Sequence, residues 1–192
     1  MHLTSNRRAI HRAALLIALA TGFTRSARAQ NTWDRYQPGT LSDVVRDADS
    51  TIRKAMHEVD SASRGKADNK TPSEHFLGTQ YPTLAALVYT GQSRPITPIP
   101  QSLISAWGRS FMRDSSMAAD FHREYLFKEG TTSFWLPVQD TVATFFPKEL
   151  HPGQQVNLYV MLLAGYYDAG KFTWGFIVIE FNASPVARVR TF

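Results

Sequence analysis

Residues 154–181 read QQVNLYVMLLAGYYDAGKFTWGFIVIEF. Two runs rich in Val, Ile, Leu and aromatics flank Tyr167-Asp168-Ala169-Gly170-Lys171, and Gly170 supplies a turn position. Such side chains suit a pleated, buried surface, and a glycine between two such runs marks a β-hairpin. No other stretch of the 192 residues can bury as much apolar surface. The domain is therefore expected to pack around this ribbon. With a turn of even length, Tyr159, Met161, Leu163, Tyr167, Phe172, Trp174, Phe176 and Val178 share one face. Leu158, Val160, Leu162, Ile177, Ile179 and Phe181 share the other. Both faces are apolar, so both need a cover: helices, sheet closure, a ligand or a partner.

Upstream, residues 121–138 form a second hairpin. If Gly130-Thr131 is a two-residue loop with glycine first, as a type II′ turn wants, then Phe127 faces Phe134, Tyr125 faces Leu136 and Arg123 faces Val138. The apolar partners match across the ladder, which supports that register. The opposite face carries His122, Glu124, Leu126, Lys128, Ser133 and Trp135 and is mixed, so one side is expected to be at least partly wet.

Two amphipathic helices are expected. Leu41, Val44, Val45, Ala48, Ile52, Ala55, Met56 and Val59 recur at helical spacing behind Thr40 and Asp43, which approximate a capping box. Ile99, Leu103, Ile104, Trp107 and Phe111 mark a second helix over about 98–112, with Pro98 and Pro100 tolerated in its first turn. Residues 60–75 hold almost no large apolar side chain and read as a flexible surface loop. Tyr81 to Thr90 reads as a strand ended by Gly91, 140–150 as a short helix broken by Pro147, 151–154 as a type II turn, and 183–192 as a tail. The expected class is α+β: a small antiparallel sheet with helices on one face, or a partly open barrel of about five strands. The second form resembles the strand order of an OB-type barrel, by topology alone.

The first 29 residues read as an export signal. Arg7, Arg8 and Arg12 precede the apolar run Ala13–Phe23, too short to span a bilayer, and Ala27-Arg28-Ala29 is an A-x-A cleavage site before Gln30. Asn6-Arg7-Arg8-Ala9-Ile10 also resembles a twin-arginine signal, so the route is Sec or twin-arginine, to the periplasm or outside. Cleavage leaves a single domain, 30–192, with no transmembrane segment. It removes five arginines and no acid, which leaves 16 basic residues against 16 acidic ones from the 21 and 16 of the whole chain. A mature chain of zero net charge does not read as a nucleic-acid binder. The chain has no cysteine, which excludes disulfides and thiol chemistry.

No nucleotide, hydrolase or metal motif occurs, and no cofactor is implied. His57, His75 and His151 read as helix-end, loop and turn residues. His122 and Glu124 are the best chemical pair: residues two apart on a strand project to one face, and Trp135 is near on the partner strand. Polar residues are expected on that face in any case. The aromatic surplus points instead to binding, with Tyr159, Tyr167, Trp174 and Trp135 as contact residues. The leading expectation is an exported, non-catalytic module for a small ligand or protein partner. The alternative is a small periplasmic enzyme using His122 and Glu124 for acid–base or metal-assisted chemistry.

Overall fold

The computed structural model describes residues 32–63, 73–114, 116–168 and 171–183. The expected signal (1–29), the middle of the expected 60–75 loop and all of the expected tail but Ala183 lie outside them. In chain order the elements are β1 (Gln37–Gly39), α1 (Leu41–Ser63), β2 (Ser73–Pro95), α2 (Pro98–Trp107), β3 (Arg123–Glu129), β4 (Thr132–Val138), α3 (Asp140–Ala143), α4 (Phe146–Glu149), β5 (Gln155–Asp168) and β6 (Lys171–Asn182). The class is α+β. The strands make one six-stranded sheet in the order β1-β2-β3-β4-β6-β5, with β2 also pairing β5.

The sheet is mixed, which corrects the antiparallel expectation. β1 runs parallel to β2 through Gln37↔Thr83, and β4 meets β6 in parallel at Val138↔Val178. Nor is it a barrel. The pairings do run in a ring back to β2, but β4 and β6 share that one residue pair and separate. Phe146, fully buried, sits edge-on to Tyr89, Tyr125, Phe127 and Phe181 from both halves of the sheet.

The β3–β4 ladder has the expected register, Phe127↔Phe134, Tyr125↔Leu136 and Arg123↔Val138. Gly130 has φ 58° and Thr131 is not in the positive-φ region, as a type II′ turn requires. The 151–154 turn also forms as expected: Gly153 has φ 87° and Gln154 N–H donates to the His151 carbonyl at 3.0 Å.

β2 is longer than the ten residues its apolar run marks. It pairs β5 from Ser73 to Val88 and β3 from Val88 to Pro95. Gly91, φ 80°, does not end the strand; it lies in the irregularity between Tyr89 and Ser93 where the strand passes from one partner to the other. The expected 60–75 loop is correspondingly shorter, since α1 runs to Ser63 and β2 begins at Ser73.

The expected division of the long hairpin fails for a physical reason. Gly165 faces Trp174 and Leu162 faces Phe176, so β5 carries one extra residue, Leu163; Tyr159 faces Glu180 and Val160 faces Val178, so β6 carries Ile179 extra. Each insertion flips the alternation beyond it. Phe172, Phe176 and Val178 therefore join Leu158, Val160 and Leu162 in one core cluster with Leu41, Ala48 and Ile52 of α1. Met161, Leu163 and Ile177 form a second cluster with Leu103, Ile104 and Trp107 of α2. Val160 and Leu162 alternate with Met161 and Leu163, so the helices cover opposite faces of the ribbon rather than one. The two apolar faces are thereby both accounted for.

Candidate functional site

The far end of the β3–β4 hairpin gathers the polar chemistry. Arg94, near the end of β2, is the cross-strand neighbour of Glu124 on β3. Its Nε donates to Glu124 Oε2 at 2.6 Å. The Glu124 side chain is 1% exposed and that of Arg94 40%. A carboxylate so deeply buried must be paired and hydrogen-bonded to stay charged. Both conditions are met, because the Thr97 hydroxyl lies 3.2 and 3.3 Å from the two Glu124 oxygens. Thr97 stands at the N-cap position of α2 but makes no side-chain cap bond; its hydroxyl is turned to Glu124 instead. The Arg94 guanidinium carbon lies 4.2 Å from the centroid of half-buried Trp135, a cation–π distance. Arg94 is thus held from below by an anion and laid on an aromatic plane, at the rim of the sheet.

His122 sits one step before β3. Its ring Nδ1 is 2.5 Å from Asp140 Oδ2, and its backbone N–H donates to Asp140 Oδ1 at 3.1 Å. Asp140 opens α3, so the carboxylate is fixed by its own element while it grips both ends of the histidine. With Nδ1 committed to Asp140, Nε2 is the nitrogen left for solvent, and the side chain is 73% exposed. The Ile96 N–H donates to the His122 carbonyl at 2.9 Å, which ties the start of β3 to the proline-rich turn from β2 into α2.

The sequence-predicted residues fall in separate places. His122 and Glu124 share a strand but each has its own partner, Asp140 and Arg94. Trp135 lies under Arg94. Tyr159 packs edge-on against Tyr36 at 5.2 Å. Tyr167 and Trp174 flank Phe172, with centroids 4.8 and 5.2 Å away, and both pack against the α1-side core. Half-buried Trp174 also covers Gly165: a Cβ there would fall 2.7 Å from the indole ring. Of the other histidines, His57 and His151 are exposed.

Arg94, Thr97 and Asp140 were missed by sequence reasoning. Arg94 and Glu124 are 30 residues apart, and Asp140 is 18 from His122. Arg94 would have been found only by extending the 81–90 strand through Gly91 and pairing it with β3. Separately, an open cavity of about 290 Å³ lies between β1, the start of α1 and β2, lined by Arg35, Gln37, Thr40, Asp43, Asp47 and Thr83 among others. Asp43 is fully engaged there: its bond with the Thr40 hydroxyl, then Arg46, holds its carboxyl below the ordinary range. No group of three or more His, Asp or Glu able to hold a metal ion occurs among the described residues. No family model, curated protein or solved structure matches the chain.

Proposed function

We propose that the mature chain is an exported binding module, and that it holds an anionic group, a carboxylate or phosphate, on Arg94. One observation carries this reading. Arg94 is immobilised through Nε and its stacking on Trp135, while its two terminal amino groups make no hydrogen bond among the described residues. A planar guanidinium held in this way keeps a two-nitrogen edge suited to bidentate capture of a carboxylate or phosphate. Little side-chain entropy remains to be lost on binding, because the fork is already positioned. The balanced charge of residues 30–192 supplies no long-range steering, so recognition rests on this local edge.

The test is a titration of isotope-labelled protein with benzoate and with inorganic phosphate, followed at the Trp135 indole N–H. Wild type should show saturable shifts. Arg94→Lys keeps the charge beside Glu124 but loses the fork, and should weaken binding at least about tenfold. Equal binding by folded Arg94→Lys and wild type would remove Arg94 from the site.

A second reading, a small hydrolytic enzyme, is favoured by the His122–Asp140 contact alone. A carboxylate on Nδ1 orients an imidazole so that Nε2 can take a proton. The acid–base partner of His122 in this reading is Asp140 and not Glu124, whose oxygens are occupied by Arg94 and Thr97. Hydrolysis of a p-nitrophenyl ester separates the readings: His122→Ala should leave anion binding intact and abolish any turnover.

A further inference from the structure

The geometry points to a membrane-docking loop at the end of α2, at Arg109-Ser110-Phe111-Met112-Arg113, which takes an anionic phospholipid surface. Helical spacing places Phe111 with Leu103, Ile104 and Trp107, yet it does not join them in the core. The chain widens into a π turn over Gly108–Met112 and then stops at Arg113, which is left-handed at φ 56°. The wider turn rotates Phe111 and Met112 outward, to 46% and 58% exposure. They are adjacent, and they are two of the three exposed large hydrophobic residues among those described. π turns and left-handed non-glycine residues concentrate where a fold serves something other than its own stability.

The loop is built rather than loose. Asp114 N–H donates to the Gly108 carbonyl at 3.1 Å, and a Cβ on Gly108 would meet the Asp114 carbonyl oxygen at 2.6 Å. Phe111 stacks on buried Trp107 at 5.9 Å, so the apolar tip has a rigid root. Residues 109–114 are all exposed, so the apolar pair and its flanking arginines lie on one continuous stretch of surface. Arg109 and Arg113 bracket the apolar pair, and neither makes an ion pair among the described residues. The nearby carboxylate of Asp114 is turned to the Ser116 hydroxyl and N–H, at 2.7 and 2.8 Å. Two apolar side chains between two free guanidinium groups match the acyl boundary and phosphate layer of an anionic bilayer.

The experiment is co-sedimentation of the processed protein, its N-terminus defined by intact mass, with vesicles of phosphatidylcholine alone and of phosphatidylcholine mixed with phosphatidylglycerol. Wild type should sediment with the mixed vesicles, less with the neutral ones, and less at high salt. Phe111→Ser with Met112→Ser, and separately Arg109→Gln with Arg113→Asn, should each weaken partitioning more than about tenfold. Asparagine tolerates the left-handed position, and unchanged thermal unfolding confirms that each variant folds. Lys128→Gln, which removes an exposed cation on β3 outside this loop, should sediment like wild type. Wild-type protein that ignores both vesicles, variants that sediment equally, or a wild-type dimer that these serines dissociate without any vesicle binding would each overturn the assignment.

Discussion

At the residue scale, Glu124 shows how burial alters the meaning of a side chain. On an exposed strand face it reads as a free carboxylate beside a histidine; at 1% exposure it is the counter-ion that fixes Arg94. Removing either partner would strand a buried or half-buried charge, whereas Arg94→Lys preserves the pair. Trp174 makes a structural contact of its own. Its ring lies against Gly165 and stacks at 17° on Phe172, filling the space that a glycine in a strand leaves empty. Gly165→Ala should therefore cost about 1–3 kcal/mol, because the ring must move from a packed position. The cost should fall to a few tenths in a Trp174→Ala background, about 0.5 kcal/mol or less, by a double-mutant cycle in urea. An unchanged cost would mean that Phe172, whose Cδ1 would lie 3.2 Å from the new Cβ, or the backbone of β5, and not the indole, sets the requirement for glycine.

At the element scale, the start of α1 is held by a residue far away in sequence. The Glu129 carboxylate accepts from the Leu41 N–H at 2.7 Å and the Ser42 N–H at 2.9 Å, and from the Ser42 hydroxyl. Thr40 adds the local cap: its Oγ1 accepts from the Asp43 N–H at 3.0 Å and its hydroxyl donates to the Asp43 carboxylate at 2.7 Å. An anion on a helix N-terminus satisfies orphan donors and complements the helix dipole. Glu129→Gln should cost about 1 kcal/mol and Glu129→Ala about 2, measured by urea unfolding; no change for the alanine variant would remove the tie. The local half of this cap was legible in Thr40 and Asp43, and the distant half was not. The same division recurs elsewhere. The β3–β4 register was legible because a two-residue turn and cross-strand apolar matches determine it together. The faces of β5 and β6 were not, because the single insertions fall at ordinary strand residues, Leu163 and Ile179, and the nearby Gly165 and Gly175 do not say which residue is extra. The C-terminal reach of β2 was hidden by Gly91, read as a stop where it is an irregularity, and its N-terminal reach from Ser73 by polar residues read as part of a loop. In the site, His122, Glu124 and Trp135 stood out by type and spacing, while Arg94 and Asp140 needed tertiary pairing to be seen.

At the scale of the whole molecule, two apolar clusters on opposite faces of the β5–β6 ribbon hold the sheet without disulfides, and one of them is aromatic at its centre. Tyr89 packs against Phe127 and Phe146 there, and burial, with the neighbouring Tyr125 phenol adding to it, pushes its hydroxyl above the ordinary phenol range. Burial does the same to Tyr36, with the neighbouring Arg35 pulling the other way. The sign follows from which form the fold favours. Both phenols are held neutral when folded but ionise near about pH 10 when the chain is unfolded. Their contribution to stability is therefore complete below about pH 10 and lost as pH climbs from there through the raised folded values. The urea midpoint should be level between about pH 7 and 9 and fall steeply above about pH 10. Tyr89→Phe cannot ionise, so its midpoint should fall less steeply over the same range, whatever it loses at neutral pH. A variant as steep as wild type would show that other groups, and not the aromatic centre, govern the alkaline limit of the fold.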